Sequence, residues 1–125
     1  MLGFTRDGTH AEYIEVPVSS LAHKPERLTY DQLHALGFTF VTAWCALAEY
    51  ARLSKGETVA IIESTGGDGG AATQIAKHGG ARIISISRPQ PHPSSRLALL
   101  AAFHLDANDP DLAQKVKSMT CQKGC

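Results

Sequence analysis

One stretch of ten residues carries most of the chemistry legible in this chain: Glu63-Ser64-Thr65-Gly66-Gly67-Asp68-Gly69-Gly70-Ala71-Ala72. Gly67, Gly69 and Ala72 fit the spacing G-x-G-x-x-G/A of a dinucleotide-binding turn. Such a turn must be tight and must let the backbone approach a pyrophosphate closely, and glycine tolerates both demands. The small residue at the end lets the following helix lie against the preceding strand, and the free N–H groups at the helix start then face the anion. The same residues also suit a tight structural turn with no ligand. The flanks favour the ligand, because an apolar run precedes the turn, a helical pattern follows it, and a second apolar run comes after that. Asp68 would bring negative charge to such a site, and Glu63 stands at the turn's first position. Both weigh against affinity.

A second feature bears on which dinucleotide. An NAD site places Asp or Glu at the end of its second strand, about 20 residues past the first glycine, to hold the ribose 2′-hydroxyl. Here no acid lies between Asp68 and Asp106, and Ser87-Arg88 occupies that place. A guanidinium pairs bidentately with a 2′-phosphate, which points to NADP(H). The competing reading of Arg88 is a solvated loop arginine. Ser64 and Thr65 sit close enough to the glycines to touch phosphate, but turn chemistry alone explains them.

Other reactive types are scattered. The histidines at 10, 23, 34, 78, 92 and 104 pair with no carboxylate or Cys at a metal-ligand spacing and read as surface or satisfied side chains. Cys121 and Cys125 are one residue too far apart for a C-x-x-C motif, and with Cys45 they make three, too few for a disulfide framework. That cysteine usage fits a reducing compartment and a cytoplasmic protein. No residue stands out as a catalytic acid or base. Trp44 and Tyr50 read as core rather than as a stacking platform.

The elements that would position the turn follow from periodicity. Ala11, Tyr13, Ile14 and Val16 predict a short strand ending at Pro17. Thr29 is a helix cap, and Tyr30, Leu33, Leu36, Phe40, Trp44, Leu47 and Ala51 follow with helical spacing, broken in two at Gly37 and closed at Lys55-Gly56. Residues 58–62 are apolar without alternation, as in a strand buried on both faces of a parallel sheet. A helix is predicted from Gly69 to His78, stopped at Gly79-Gly80, then a second buried strand from Ala81 to Ser87. This is one right-handed β-α-β unit. The proline-rich run from Arg88 to Ser95 is a loop, followed by a helix capped at Ser94 or Ser95 and reaching Phe103. A weak strand follows at 105–107. Asp109 with Pro110 opens a last helix to about Met119, with Leu112, Val116 and Met119 on its apolar face.

Composition bounds the class. The chain has 125 residues, 43% of them hydrophobic, with 12 basic and 12 acidic side chains that cancel. That is a globular balance, and it argues against a nucleic-acid or membrane-surface binder driven by bulk charge. No apolar run is long enough to span a membrane, and the first eight residues do not read as a signal peptide.

Taken in order, Gly8-Thr9-His10-Ala11-Glu12-Tyr13-Ile14, the run from His23 to Gln32, Phe40-Val41-Thr42-Ala43-Trp44, Gly56-Glu57-Thr58-Val59, Gly66-Gly67-x-Gly69 and Gln74-Ile75-Ala76-Lys77 resemble the medium-chain dehydrogenase/reductases, in particular their quinone oxidoreductase (zeta-crystallin-like) branch. The resemblance covers nearly the whole chain. It implies an α/β fold: a partial Rossmann domain, the doubly wound parallel sheet, with a remnant of a GroES-like substrate domain at its N-terminus. Residues 1–28 would be that remnant and residues 29–125 the first half of the NAD(P)-binding domain, so the chain resembles a fragment of a longer, homo-oligomeric oxidoreductase. By resemblance, Gly66, Gly67, Asp68, Gly69 and Gly70 hold the pyrophosphate, Ser87 and Arg88 the adenosine ribose, and Thr42 approaches the nicotinamide. The competing reading of Thr42 is a helix threonine bonded to a preceding carbonyl. Zinc-dependent members carry a ligand, usually Cys, where this chain has Phe38, so the resemblance is to the zinc-free branch. The implied activity is NADPH-dependent reduction of a quinone or an α,β-unsaturated carbonyl, with no nucleic-acid or membrane partner. Two further readings stand beside it: an enoyl-thioester reductase or alcohol dehydrogenase of a biosynthetic pathway, and a non-catalytic nucleotide-binding or interaction fragment. Glu63 and Asp68, where the family has Ala or Gly and Val, support the last.

Overall fold

Three parallel strands, with one helix packed against two of them, organise the larger of two units. The computed structural model describes residue 8, residues 10–89 and residues 100–120. The chain divides into two compact units, Met1–Leu33 and His34–Cys125.

In the first unit, residues 10–16 form no strand, contrary to the pattern of Ala11, Tyr13, Ile14 and Val16, and a short 3₁₀ turn follows at Val18–Ser20. Alternation alone does not make a strand, since it also needs a neighbour for its backbone groups. Lys24 reaches forward, donating to the carbonyls of Pro25 (3.1 Å) and Leu28 (2.6 Å), and lies over the Tyr30 ring.

Helix α1 is Tyr30–Trp44. Thr29 opens it with a reciprocal capping box: its hydroxyl accepts from the Gln32 N–H (3.2 Å), and its own N–H donates to Gln32 Oε1 (3.0 Å). The expected break at Gly37 does not occur. Gly37 is exposed inside the continuous helix, where it costs about 1 kcal/mol relative to Ala but removes no hydrogen bond. The helix instead changes pitch at Cys45–Tyr50, a π-helical turn whose end shows in the i→i−5 bond from the Ala51 N–H to the Ala46 carbonyl (3.0 Å).

In the second unit, β1 (Thr58–Ile62), α2 (Gly67–His78), β2 (Arg82–Ser87), β3 (Phe103–Asp106) and α3 (Leu112–Thr120) complete the described elements. The sheet order is β1-β2-β3, all parallel, with Thr58 beside Arg82 and Ile84 beside Phe103. This is the α/β arrangement of a Rossmann half-sheet. Helix α2 packs on β1 and β2. Leu47, Ile61, Ala76, Ala81 and Ile83 form the buried cluster, with Val59, Ala72 and Ile75 against it. Gly80, at φ +77°, ends α2 in a Schellman motif: its N–H bonds to the Lys77 carbonyl and the Ala81 N–H to the Ala76 carbonyl.

Three expectations are corrected here. β2 is buried on both faces, but β1 is not: Ala60 is exposed and Ile62 is 70% exposed. β1 ends the sheet among the described residues, and only its α2 side is covered. Trp44 (54%) and Tyr50 (86%) are exposed rather than core. Phe103 begins β3 instead of ending a helix. The rest of that expected helix lies outside the described residues, as do Cys121 and Cys125. Helix α3 keeps its expected face, with Leu112, Val116 and Met119 half-buried. Asp109 caps it, accepting from the Asp111 N–H (2.9 Å).

Candidate nucleotide-binding site

Parallel pairing brings the C-terminal ends of β1, β2 and β3 to one edge of the sheet. In open α/β sheets that edge is where ligands bind. The turn after β1 lies there. Glu63 takes a left-handed conformation, φ +54°, which costs a residue with a Cβ on the order of 1 kcal/mol. Its carbonyl accepts the Gly66 N–H (2.9 Å), reversing the chain in four residues so that α2 starts at Gly67.

The glycines are not equivalent. A Cβ on Gly69 would stand 2.2 Å from the Glu63 carbonyl oxygen and 2.8 Å from the Ser64 Cα, inside any permitted contact. On Gly66 it would meet that same oxygen at 3.3 Å, and on Gly67 the Thr39 Cγ2 at 3.2 Å. Gly70 is buried, its N–H bonded to the Gly66 carbonyl (2.8 Å). The first N–H groups of α2 have no carbonyl a turn earlier to receive them, and they make an anion-binding helix start. Thr73 braces this turn by donating to the Gly69 carbonyl (2.8 Å). Gly66, Gly67 and Asp68 are exposed, so the start of α2 is open to an anion such as a pyrophosphate.

Asp68 is exposed on the first turn of α2, where a carboxylate is stabilised by the helix dipole and remains solvated. Ser87 ends β2, half-buried, its carbonyl taken by the Ala107 N–H (3.0 Å). Arg88 follows it, exposed, at the same sheet edge. Thr42 is exposed on α1. The threonine whose methyl would meet a side chain at Gly67 is Thr39, one helical turn earlier, and its hydroxyl donates to the Ala35 carbonyl (2.8 Å). The sequence offered no signal for Thr39, because its role depends on how α1 lies beside the turn. Ser64, which turn chemistry alone explains in the sequence, is 3% exposed, and its hydroxyl meets that of Ser85. Among the described residues no cluster of His, Cys, Asp or Glu is arranged to hold a metal, and Phe38 is 64% exposed. No helix among them is long and apolar enough to cross a membrane.

A half-sheet with a glycine cradle at its carboxyl edge defines a Rossmann-type nucleotide-binding protein. No protein-family model matches the chain. A zinc-type alcohol dehydrogenase-like protein of Schizosaccharomyces pombe is 37% identical over 92 residues, 70% of this chain and 26% of that protein. Among solved structures, an NAD-dependent alcohol dehydrogenase superposes with a TM-score of 0.87 at 33% identity, over 100% of this chain and 36% of its own. The nucleotide-binding subdomain of the enoylreductase domain of PpsC from Mycobacterium tuberculosis superposes with a TM-score of 0.62 at 36% identity, over 71% of this chain and 50% of its own. The chain belongs to the medium-chain dehydrogenase/reductase superfamily. It spans about a quarter of the length of the curated relative.

Proposed function

We propose that this chain is the cofactor-binding portion of a zinc-independent, NADP(H)-linked oxidoreductase that reduces a quinone or an α,β-unsaturated carbonyl. Gly69 carries the reading. A Cβ there would run into the Glu63 carbonyl, so only glycine fits, and the exposed start of α2 lies beside it at the carboxyl edge of the sheet. Residues 1–28 are read as the last stretch of a GroES-like substrate domain, and residues 29–125 as the first half of the dinucleotide domain.

A bound nicotinamide dinucleotide would supply the hydride. This chain's residues would bind and orient it. The N–H groups from Gly67 to Gly69 would hold the pyrophosphate, Ser87 would face the ribose, and Arg88 would pair with a 2′-phosphate. Thr42, one turn beyond Thr39 on α1, would flank the nicotinamide. Asp68 would lower affinity for the pyrophosphate without abolishing it, since its carboxylate is in water. Phe38, at the place of a zinc ligand in zinc-dependent members, offers no donor atom. The likeness to an enoylreductase subdomain supports an enoyl thioester as the second candidate substrate.

Calorimetric titration with NADPH and with NADH tests the reading. Saturable binding that favours NADPH is expected, and Arg88→Gln should remove about tenfold of that preference, one charge-assisted pair. A folded chain that binds neither dinucleotide overturns the reading. Equal affinity for both, unchanged by Arg88→Gln, overturns the NADP(H) assignment.

A further inference from the structure

The glycine turn rests on a buried hydroxyl pair that dinucleotide contact does not account for. Ser64 is 3% exposed and Ser85 4%, and their Oγ atoms hydrogen-bond to each other across 21 residues of sequence. Ser85 is out of character for its surroundings. It stands in the run Ile83-Ile84-Ser85-Ile86, where a branched aliphatic would bury more apolar area. Its partner sits at the mechanical centre of the turn. Ser64 follows the left-handed Glu63, its N–H donates to the Ile86 carbonyl (3.4 Å), and its Cα is one of the atoms that exclude a side chain at Gly69. Ser64 is therefore the floor on which the start of α2 lies, and Ser85 fastens that floor to β2. The same strand ends at Ser87 and Arg88.

We propose that Ser64 and Ser85 are positioning residues that hold the glycine turn in register with the end of β2. They would fix the spacing between the pyrophosphate cradle and the ribose end of the site without touching the ligand. The proposal rests on the dinucleotide reading for its functional consequence, but the mechanical part stands apart from it.

Hydroxyl pairing lets stability and positioning be separated. Removing one hydroxyl strands the other in a buried place, whereas removing both abolishes the demand. Ser64→Ala and Ser85→Ala should each lower the melting temperature, and the double variant should recover most of the loss. Affinity should not recover with it: the Kd for NADPH is expected to stay raised by about fivefold in the double variant, the scale of one lost hydrogen bond. Amide hydrogen exchange on the ligand-free chain supplies the second readout. Exchange across residues 64–70 should quicken in the double variant while β3 and α3 keep their rates. A double variant with wild-type exchange at 64–70 overturns the proposal, as does one that regains wild-type affinity along with its stability. If the wild-type chain binds neither NADPH nor NADH, the dinucleotide reading falls, and exchange at 64–70 still decides whether the pair holds the turn.

Discussion

A methyl group at residue 69 would overlap the Glu63 carbonyl oxygen, and that oxygen cannot move without undoing the turn that brings Gly66 back to it. Gly69→Ala is therefore expected to destabilise the chain by about 1–3 kcal/mol, the usual range for overpacking, read from the urea midpoint. Gly67→Ala is a contrast. Its new methyl meets only the end of the Thr39 side chain. Alanine's better helix propensity, worth about 1 kcal/mol, offsets the crowding, so the midpoint should move little. The fingerprint in the sequence identified the cluster of glycines but weighted its members alike. Which one is sterically required depends on where the Glu63 carbonyl points, a consequence of a left-handed residue that no pattern announces. The same limit hid Thr39 and the place of Ser64 beneath the turn.

At the scale of elements, the legible features were those written locally. The capping box at Thr29, the Schellman stop at Gly80 and the apolar face of α3 are each set by residues within one or two turns of each other, and a pattern can register them. Gly37 misled because a single exposed glycine weakens a helix without ending it. Nothing lies within 4 Å of its position for a Cβ, so Gly37→Ala should raise stability by about 0.5–1 kcal/mol, measured by thermal unfolding. Helix α3 carries a pH signature. The Lys115 hydrogen bond, then the Asp111 N–H, hold the Asp109 carboxyl below its ordinary 3.8. Donating to Asp109 in turn holds the Lys115 ammonium above its ordinary 10.5. The folded carboxyl is the more acidic, so its contribution is full above 3.8 and is lost as pH falls through the lowered value. The folded ammonium is the more basic, so its contribution is full below 10.5 and is lost as pH rises through the raised value. Helical circular dichroism should hold a plateau between those limits and decline beyond each, and Asp109→Asn should abolish the acid-side decline contributed by this pair.

For the whole molecule, the apolarity of β1 led to an expectation of cover on both faces, and only one is covered. The side chains of Ala60 and Ile62 state a preference, while cover depends on residues elsewhere in space. The same holds for Trp44 and Tyr50 on the helix beside it. The direction of the strands has a consequence of another kind. Thr58 pairs with Arg82 and Ile84 with Phe103, so no rung of the sheet can form until a loop of roughly twenty residues has closed, and among the described residues no hairpin shortens the search. Refolding should therefore be paced by β2, the strand both neighbours need. Ile84 is fully buried, and Ile84→Val should slow refolding in stopped-flow measurements, whereas Val116→Ala on α3 should chiefly quicken unfolding. The turn at Gly66–Gly70 inherits that timing. It is assembled late, when the strand ends on either side of it arrive, and a chain still searching for its sheet has nothing yet to offer an anion.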